Sequence, residues 1–230
     1  MPQGSIARLD PQSFFFSDSR FRAQMDSVLV EPLAKIHLAF PNAWWEDLGI
    51  ERGKSISDLP LRQTYYWGKE ANGTGLMMAS YHDGPSIDFW QGLIDGPRLG
   101  DGAWANEMRG PNGEPLAPSL VHSLPASEAM VDEVLRQLQE SHGMRNPLPR
   151  PFAATYKNWG EAPYGGGWYR WKVGANSAEV IDYLRRPFPD TGLHVCGDAW
   201  SNGQGWVEGA LETAEAMLVN EFGMPAFAAN

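Results

Sequence analysis

A mixed α+β fold follows from three stretches of this 230-residue chain. Residues 62–81 set two aromatic-rich apolar runs on either side of Asn72-Gly73, the pattern of an antiparallel hairpin. Residues 124–141 repeat apolar side chains at helical spacing. Residues 193–218, LHVCGDAWSNGQGWVEGALETAEAML, read as strand, turn, helix. The length allows one large or two small domains. A hydrophobic share of 43% is that of a globular chain rather than a disordered one.

Taken in order, MPQG at residues 1–4 has no helix or strand pattern. Asp18 to Leu29 is expected to be a helix capped by Asp18, with Phe21, Met25, Val28 and Leu29 on one face. Leu33 to Phe40, LAKIHLAF, reads as a strand closed by Pro41. Lys35 within it must snorkel or find a partner. Residues 42–58 read as loop, anchored by Trp44-Trp45. Arg62 to Trp67 and Leu76 to Tyr81 are the two arms of the hairpin. Residues 95–120 form a turn-rich stretch that covers something or is partly mobile. Leu124 to Ser141 is a helix capped by Ser123 or Ser127, with Met130, Val131, Val134, Leu135 and Leu138 on one face and Gly143 ending it. Pro147, Pro149 and Pro151 make a stiff connector, which places a domain boundary at about 150. Phe152 to Tyr156 is a strand, and residues 159–171, WGEAPYGGGWYRW, form a glycine- and aromatic-rich loop. Asn176 to Arg186 is a short helix with Asn176 and Glu179 in a capping-box arrangement. The last helix starts near Gly205, and Val207, Ala210, Leu211, Ala214, Met217 and Leu218 give it one buried face.

Composition removes several function classes. The net charge is −10 with no basic stripe, which argues against nucleic acid or anionic membrane as partners. One cysteine, Cys196, rules out an internal disulfide and a cysteine-rich metal cluster. It reads as a small core residue rather than a nucleophile. No apolar run is long enough to span a bilayer, and MPQGSIARLD lacks a signal pattern, so a cytoplasmic setting is expected. The five histidines, at 37, 82, 122, 142 and 194, have no metal-ligand spacing. Gly-x-Ser-x-Gly, the P-loop and Gly-x-Gly-x-x-Gly are all absent.

Two glycine–aromatic loops remain, YGGGWY at 164–169 and NGQGWVEG at 202–209. Glycine permits close backbone approach and the adjacent aromatic supplies a flat wall. Two such walls suit a planar ligand. The N-terminus of the last helix, beside Gly197-Asp198 and Trp206, suits an electron-rich group. An ordinary buried strand–helix unit is the competing reading of residues 193–218.

The segment from Trp159 to Leu218 resembles the C-terminal part of the flavin-containing amine oxidase family. Three motifs carry the resemblance, in family order: WGEAPYGGGWYRW, HVCGDAW and QGWVEGALETAE. The last of these, with RQTYYWG and LMMASYHDGPSIDFWQGL earlier, is most similar to bacterial L-lysine and L-tryptophan oxidases and monooxygenases. The resemblance implies the C-terminal part of an FAD-binding Rossmann-like domain, residues 151–230, and part of a mixed-sheet substrate-binding domain, residues 1–150. It implies noncovalent FAD, because Trp168 stands where monoamine oxidases carry a flavin-linked cysteine. It implies oxidation of an amino acid to imine and then keto acid, with ammonia and peroxide as by-products, or diversion to an amide by monooxygenation. A monoamine or polyamine oxidase relative and a truncated product without flavin are the alternatives.

Residue by residue, the resemblance implies that Gly197 and Asp198 hold the ribityl–phosphate region. Gly205 opens the helix, and Trp206 and Val207 turn backbone N–H groups to the flavin O2/N1 edge. Tyr169 and Trp206 are the aromatic walls, and Lys35 holds a water near flavin N5. Tyr65 or Tyr66, with Trp168, would face the substrate. The family's N-terminal half, with the fingerprint for the ADP moiety, has no counterpart here. A complementary FAD-binding chain or subunit is therefore expected as partner, beside the L-amino acid and O2.

Overall fold

The computed structural model describes residues 3–99, 124–161 and 165–227. The chain divides into two compact units, one made of Leu33–Asn158 and the other of Met1–Pro32 with Trp159–Asn230.

The unit of residues 33–158 is built on a six-stranded sheet. Its strands are β2 (Leu33–Phe40), β3 (Gly53–Ile56), β4 (Gln63–Lys69), β5 (Gly75–Asp83), β6 (Leu124–Pro125) and β7 (Ala153–Asn158), in the order β3-β4-β5-β2-β7-β6. Every neighbouring pair is antiparallel. β2 shows why the sheet has two unlike faces: Ala34, Ile36, Leu38 and Phe40 are buried, while Lys35, His37 and Ala39 are half-buried. Period two sends alternate side chains to opposite faces. The β4–β5 hairpin turns at Asn72-Gly73, where Gly73 has φ 91° and Asn72 Oδ1 accepts from the Thr74 N–H at 3.0 Å.

The inner face packs on helix Glu128–Ser141, whose Met130, Val131, Val134 and Leu138 are fully buried. Of the two serines considered as caps, Ser127 does the work: its Oγ accepts from the Met130 N–H at 3.0 Å. The helix starts at Glu128 rather than Leu124, because Leu124-Pro125 pairs with Tyr156 and Thr155. Trp44-Trp45 anchor residues 42–58 as expected, within a 3-10 turn at Trp44–Leu48. A Cβ at Gly75 would lie 2.7 Å from the Trp45 ring, so the hairpin needs glycine there. Strand β3 replaces part of the loop expected over residues 42–58, because Gly53–Ile56 pairs with Gln63–Tyr66, and the helix Pro85–Gln91 adds to the expected elements.

The other unit contains β1 (Val28–Glu31) paired antiparallel with β8 (Trp168–Trp171). Around this ribbon lie the short helices Gln3–Ile6 and Ser19–Met25, the helix Ser177–Arg185 and the helix Val207–Phe222. Phe21, Met25, Val28, Tyr169, Val180, Leu184 and Trp200 form its core. Residues 3–6 are thus helical, where the sequence showed no pattern. Asp18 caps its helix as expected, its Oδ1 2.7 Å from the Phe21 N–H. That helix stops at Met25, and Val28 and Leu29 belong to β1, one buried and the other 39% exposed. They do not share a helical face, because ladder bonds to Trp171 and Arg170 impose strand alternation. Asn176 caps Ser177–Arg185, though its Oδ1 is 3.4 Å from the Glu179 N–H.

The linear division at 150/151 differs from the one observed. β7 stays with the sheet through its pairing to β2, and residues 28–31 are tied to residues 168–171 across the chain. Most of the turn-rich stretch 95–120 lies outside the described residues.

Residues 193–218 depart furthest from expectation. Leu193–Cys196 is extended but forms no strand among the described residues; the Val195 N–H donates instead to the Leu184 C=O at 3.0 Å. The helix begins at Val207, with Trp206 in the capping position. Its expected buried face is only half covered: Val207 is 65% exposed and Leu211 64%, Ala210, Ala214, Met217 and Leu218 are half-buried, and Gly209 is its only buried residue.

Candidate functional site

The structure gathers the expected residues into two clusters, one in each unit.

In the unit of residues 1–32 and 159–230, the cluster is a loop folded against the start of helix Val207–Phe222. Gly197, at φ 147°, precedes a 3-10 turn at Asp198–Trp200, and its N–H donates to Thr213 Oγ1 on the helix at 3.0 Å. Ser201 Oγ donates to the Asp198 C=O at 2.9 Å and accepts from the Gly203 N–H at 3.1 Å. A Cβ at Gly209 would sit 2.4 Å from the Gly203 carbonyl oxygen, so glycine lets the loop lie directly on the first helical turn. Gly205 takes φ 80°. Trp206 is 72% exposed and offers the helix no side-chain cap. Its own N–H is taken by the Gly203 C=O at 3.2 Å, which leaves Val207 as the first helical residue with an uncommitted N–H. Such a terminus attracts negative charge.

Trp168 and Tyr169 enter the same unit on β8. Trp168 is half-buried, and its Cβ is 4.0 Å from where a Cβ on Gly205 would stand. Tyr169 is buried, with a hydroxyl that has no hydrogen-bond partner. Burial, and then the negative charge of Asp198, push its pKa up to about 12. A Cβ at Gly166 would lie 2.3 Å from that hydroxyl, so the triple glycine makes room for the phenol. The two aromatic residues expected as walls thus differ: Trp206 presents a ring to solvent and Tyr169 is enclosed.

In the unit of residues 33–158, the second cluster occupies the half-open face of the sheet. Lys35 pairs in register with Tyr81 on one side and Lys157 on the other. Its Nζ lies 5.2 Å from the centre of the Tyr81 ring. Burial lowers its pKa from the ordinary lysine value. Tyr65 belongs to this face, its ring 6.1 Å from that of Tyr81 and its hydroxyl donating to Gln63 Oε1 at 2.8 Å. Tyr66 points to the opposite, buried face, where its hydroxyl bonds Ser55 Oγ at 2.8 Å and His142 Nε2. Strand alternation therefore puts Tyr65 with Lys35 and Tyr66 with the core.

His37 and Trp67 also share the Lys35 side; the aromatic content of the sequence, Trp67, Tyr81 and Trp90 included, points toward aromatic or long aliphatic side chains, but His37 is not among the expected site residues. The signal was present in LAKIHLAF: two residues along a strand from Lys35 must return to the same face. Among the described residues no group of three or more His, Cys, Asp or Glu side chains is placed to hold a metal, and no helix is long and apolar enough to cross a membrane.

The chain thus combines a glycine-cradled helix terminus and an aromatic β-ribbon in a mixed α+β fold. The family model for flavin containing amine oxidoreductase matches residues 1–217, and the chain belongs to that family. It is 30% identical to Aplysianin-A of Aplysia kurodai over 196 residues, covering 82% of this chain and 32% of the relative. It is 29% identical to the flavin-dependent L-tryptophan oxidase RebO of Lentzea aerocolonigenes over 182 residues, covering 76% of this chain and 31% of the relative. Among solved structures, a putrescine oxidase double mutant superposes with TM-score 0.62 at 13% identity, over 97% of this chain and 42% of that one. The mixed α+β fold thus matches part of the putrescine oxidase structure. The chain spans about a third of the length of these curated relatives.

The residues present fit one end of a flavin cofactor. The uncapped helix start at Trp206-Val207, the close backbone approach at Gly203 and Gly209, and the exposed Trp206 ring offer donors and a flat surface together.

Proposed function

We propose that this chain forms the flavin-edge and substrate-facing part of an FAD-dependent oxidoreductase that oxidises the C–N bond of an L-amino acid. Family membership supports the reading, and the loop–helix junction at residues 197–209 carries it, because it offers an anion-attracting donor edge beside an exposed indole. Gly197, Asp198 and Val207 would hold FAD there without a covalent link, and the cofactor would supply a hydride acceptor for the carbon bearing the amine, with O2 as the final two-electron acceptor and peroxide as its product. The imine then hydrolyses to keto acid and ammonia; diversion to an amide is the monooxygenase variant.

The chain's own groups would act as follows. Asp198 and Gly197 hold the ribityl–phosphate region. Val207 supplies a backbone N–H toward the O2/N1 edge, where negative charge develops on reduction. Trp168, Trp206 and Tyr169 shape the aromatic surroundings. Lys35 would hold a water through its side-chain nitrogen, which lies over the Tyr81 ring. Tyr65 stands beside it on the substrate side. A complementary FAD-binding segment would grip the adenine end.

The test is co-expression of the chain with the dinucleotide-binding region of a full-length relative. A yellow complex that releases peroxide with L-amino acids is expected. Lys35→Met should lower kcat roughly 10²–10⁴-fold with flavin content unchanged. A folded, colourless and inert complex would overturn the reading.

A further inference from the structure

Lys35 has company on the open face of the sheet. His37 lies two residues further along β2, and its ring centre is 5.4 Å from that of Trp67 on β4, tilted by 38°. The two meet across β5, the strand between them. Trp67 is 51% exposed, a large apolar surface on strand β4, just before Gly68 at φ 88° where the register with β5 shifts. Thr155 Oγ1, on β7, is 3.4 Å from His37 Nδ1. Burial first, and then the charge of Lys35, lower the His37 pKa, which disfavours a charge on the ring beside Trp67. Together the two rings make an aromatic wall one step from the lysine.

The charges around that wall are one-sided. Lys35 and Lys54 lie over the Tyr81 and Tyr65 rings, at 5.2 and 5.9 Å. The one carboxylate the six strands bring to this side is Asp83, at the Leu33 end of the sheet and roughly 20 Å along β5 from the level of Trp67. Glu46, near the other end, is taken by Lys69 at 2.6 Å. A long cationic side chain laid from Lys35 toward Trp67 would meet a like charge first and no free carboxylate at its tip. A planar apolar side chain would stack, and its carboxylate would find the lysines.

We propose that His37 and Trp67 are the side-chain recognition wall of this site, and that its substrates are L-amino acids with a planar aromatic side chain. The proposal rests on the oxidase reading for the reaction, but the wall is measurable without it. Heteronuclear NMR of the full 230-residue chain would follow the indole N–H of Trp67, assigned by its loss in Trp67→Phe, and the ring C–H signals of His37. Millimolar L-tryptophan or L-phenylalanine should shift both sets, while L-lysine and putrescine leave them in place. Equal shifts with L-lysine, or none with any ligand, would overturn the proposal even if the co-expressed complex makes peroxide. Shifts with aromatic ligands in a complex that never binds flavin would sink the oxidase reading and leave the wall standing. In an active complex, Trp67→Ala should lower kcat/KM for L-tryptophan about tenfold or more relative to L-leucine. An unchanged ratio counts against the wall.

Discussion

The helices Glu128–Ser141 and Val207–Phe222 both announce themselves by apolar residues at helical spacing, yet they end in opposite surroundings. In the first, Met130, Val131, Val134 and Leu138 are fully buried against the sheet of the same unit. In the second, Val207 and Leu211 are about two-thirds exposed. Periodicity records which face a helix would bury. It does not record whether the covering surface belongs to the same stretch of chain. The unit of residues 33–158 finds its covers within itself. The unit of residues 1–32 and 159–230 leaves Val207 and Leu211 of its last helix largely exposed.

The sharpest way to break this contrast is one substitution made twice. Leu138→Ala should cost about 2–5 kcal/mol, as a fully buried leucine replaced by a cavity. Leu211→Ala should stay within about 0.5 kcal/mol. Chemical denaturation of both variants checks it. A comparable loss at Leu211 would mean the face is covered in solution, as it would be by self-association, and a dependence on protein concentration would expose that.

Legibility followed the same division. LAKIHLAF needed only alternation to place Lys35 and His37 on one side, because its partners β5 and β7 both lie within the chain. The caps at Asp18, Ser127 and Asn176 were legible as local chemistry. Val28-Leu29 looked helical because Phe21 and Met25 set a helical period, and only the distant ladder to Trp171 and Arg170 overrides it. Leu193–Cys196 looked like a strand from apolar content, but a strand exists only with a partner. At the site, Tyr65 and Tyr66 were indistinguishable by type. The choice between them turns on which face of β4 is buried, a property of the helix Glu128–Ser141 rather than of the strand.

Among the described residues each unit also buries, besides tryptophan N–H groups, one titratable side chain with a polar atom that lacks a partner, and these sharpen the comparison in a second way. In the sheet unit it is His82. Ser80 Oγ donates to the Leu61 C=O at 2.9 Å, so across the 2.7 Å contact with His82 Nδ1 the ring must donate. Nε2 is then a buried lone pair with nothing to receive a proton's charge. Burial takes this histidine from 6.5 to about 4. The unfolded chain therefore binds a proton first as pH falls, so the associated stability is complete above about pH 6.5 and is lost progressively toward pH 4. The loss is about 3 kcal/mol. Denaturation across that window should show the slope, and His82→Phe should flatten it. A slope unchanged in the variant would assign it to other groups.

In the unit of residues 1–32 and 159–230 the orphan is the Tyr169 hydroxyl, and the informative contrast is with Tyr66. Both phenols are buried, at 3% exposure. Tyr66 sits in a chain of hydrogen bonds, and Tyr66→Phe strands His142 Nε2, which should cost about 1–2 kcal/mol. Tyr169→Phe removes a group that is already unpaired, so it should be neutral or stabilise by up to about 1 kcal/mol. Gly166→Ala should cost about 1–3 kcal/mol, because its Cβ would stand 2.3 Å from that hydroxyl. In the Tyr169→Phe background part of this cost should disappear, leaving the contacts with the ring Cζ and with Val30 Cγ1, both at 3.0 Å. A double-mutant cycle reads the difference directly. A large penalty for Tyr169→Phe would show that the hydroxyl has acquired a partner, and comparing the penalty with and without added FAD would tell whether flavin is that partner.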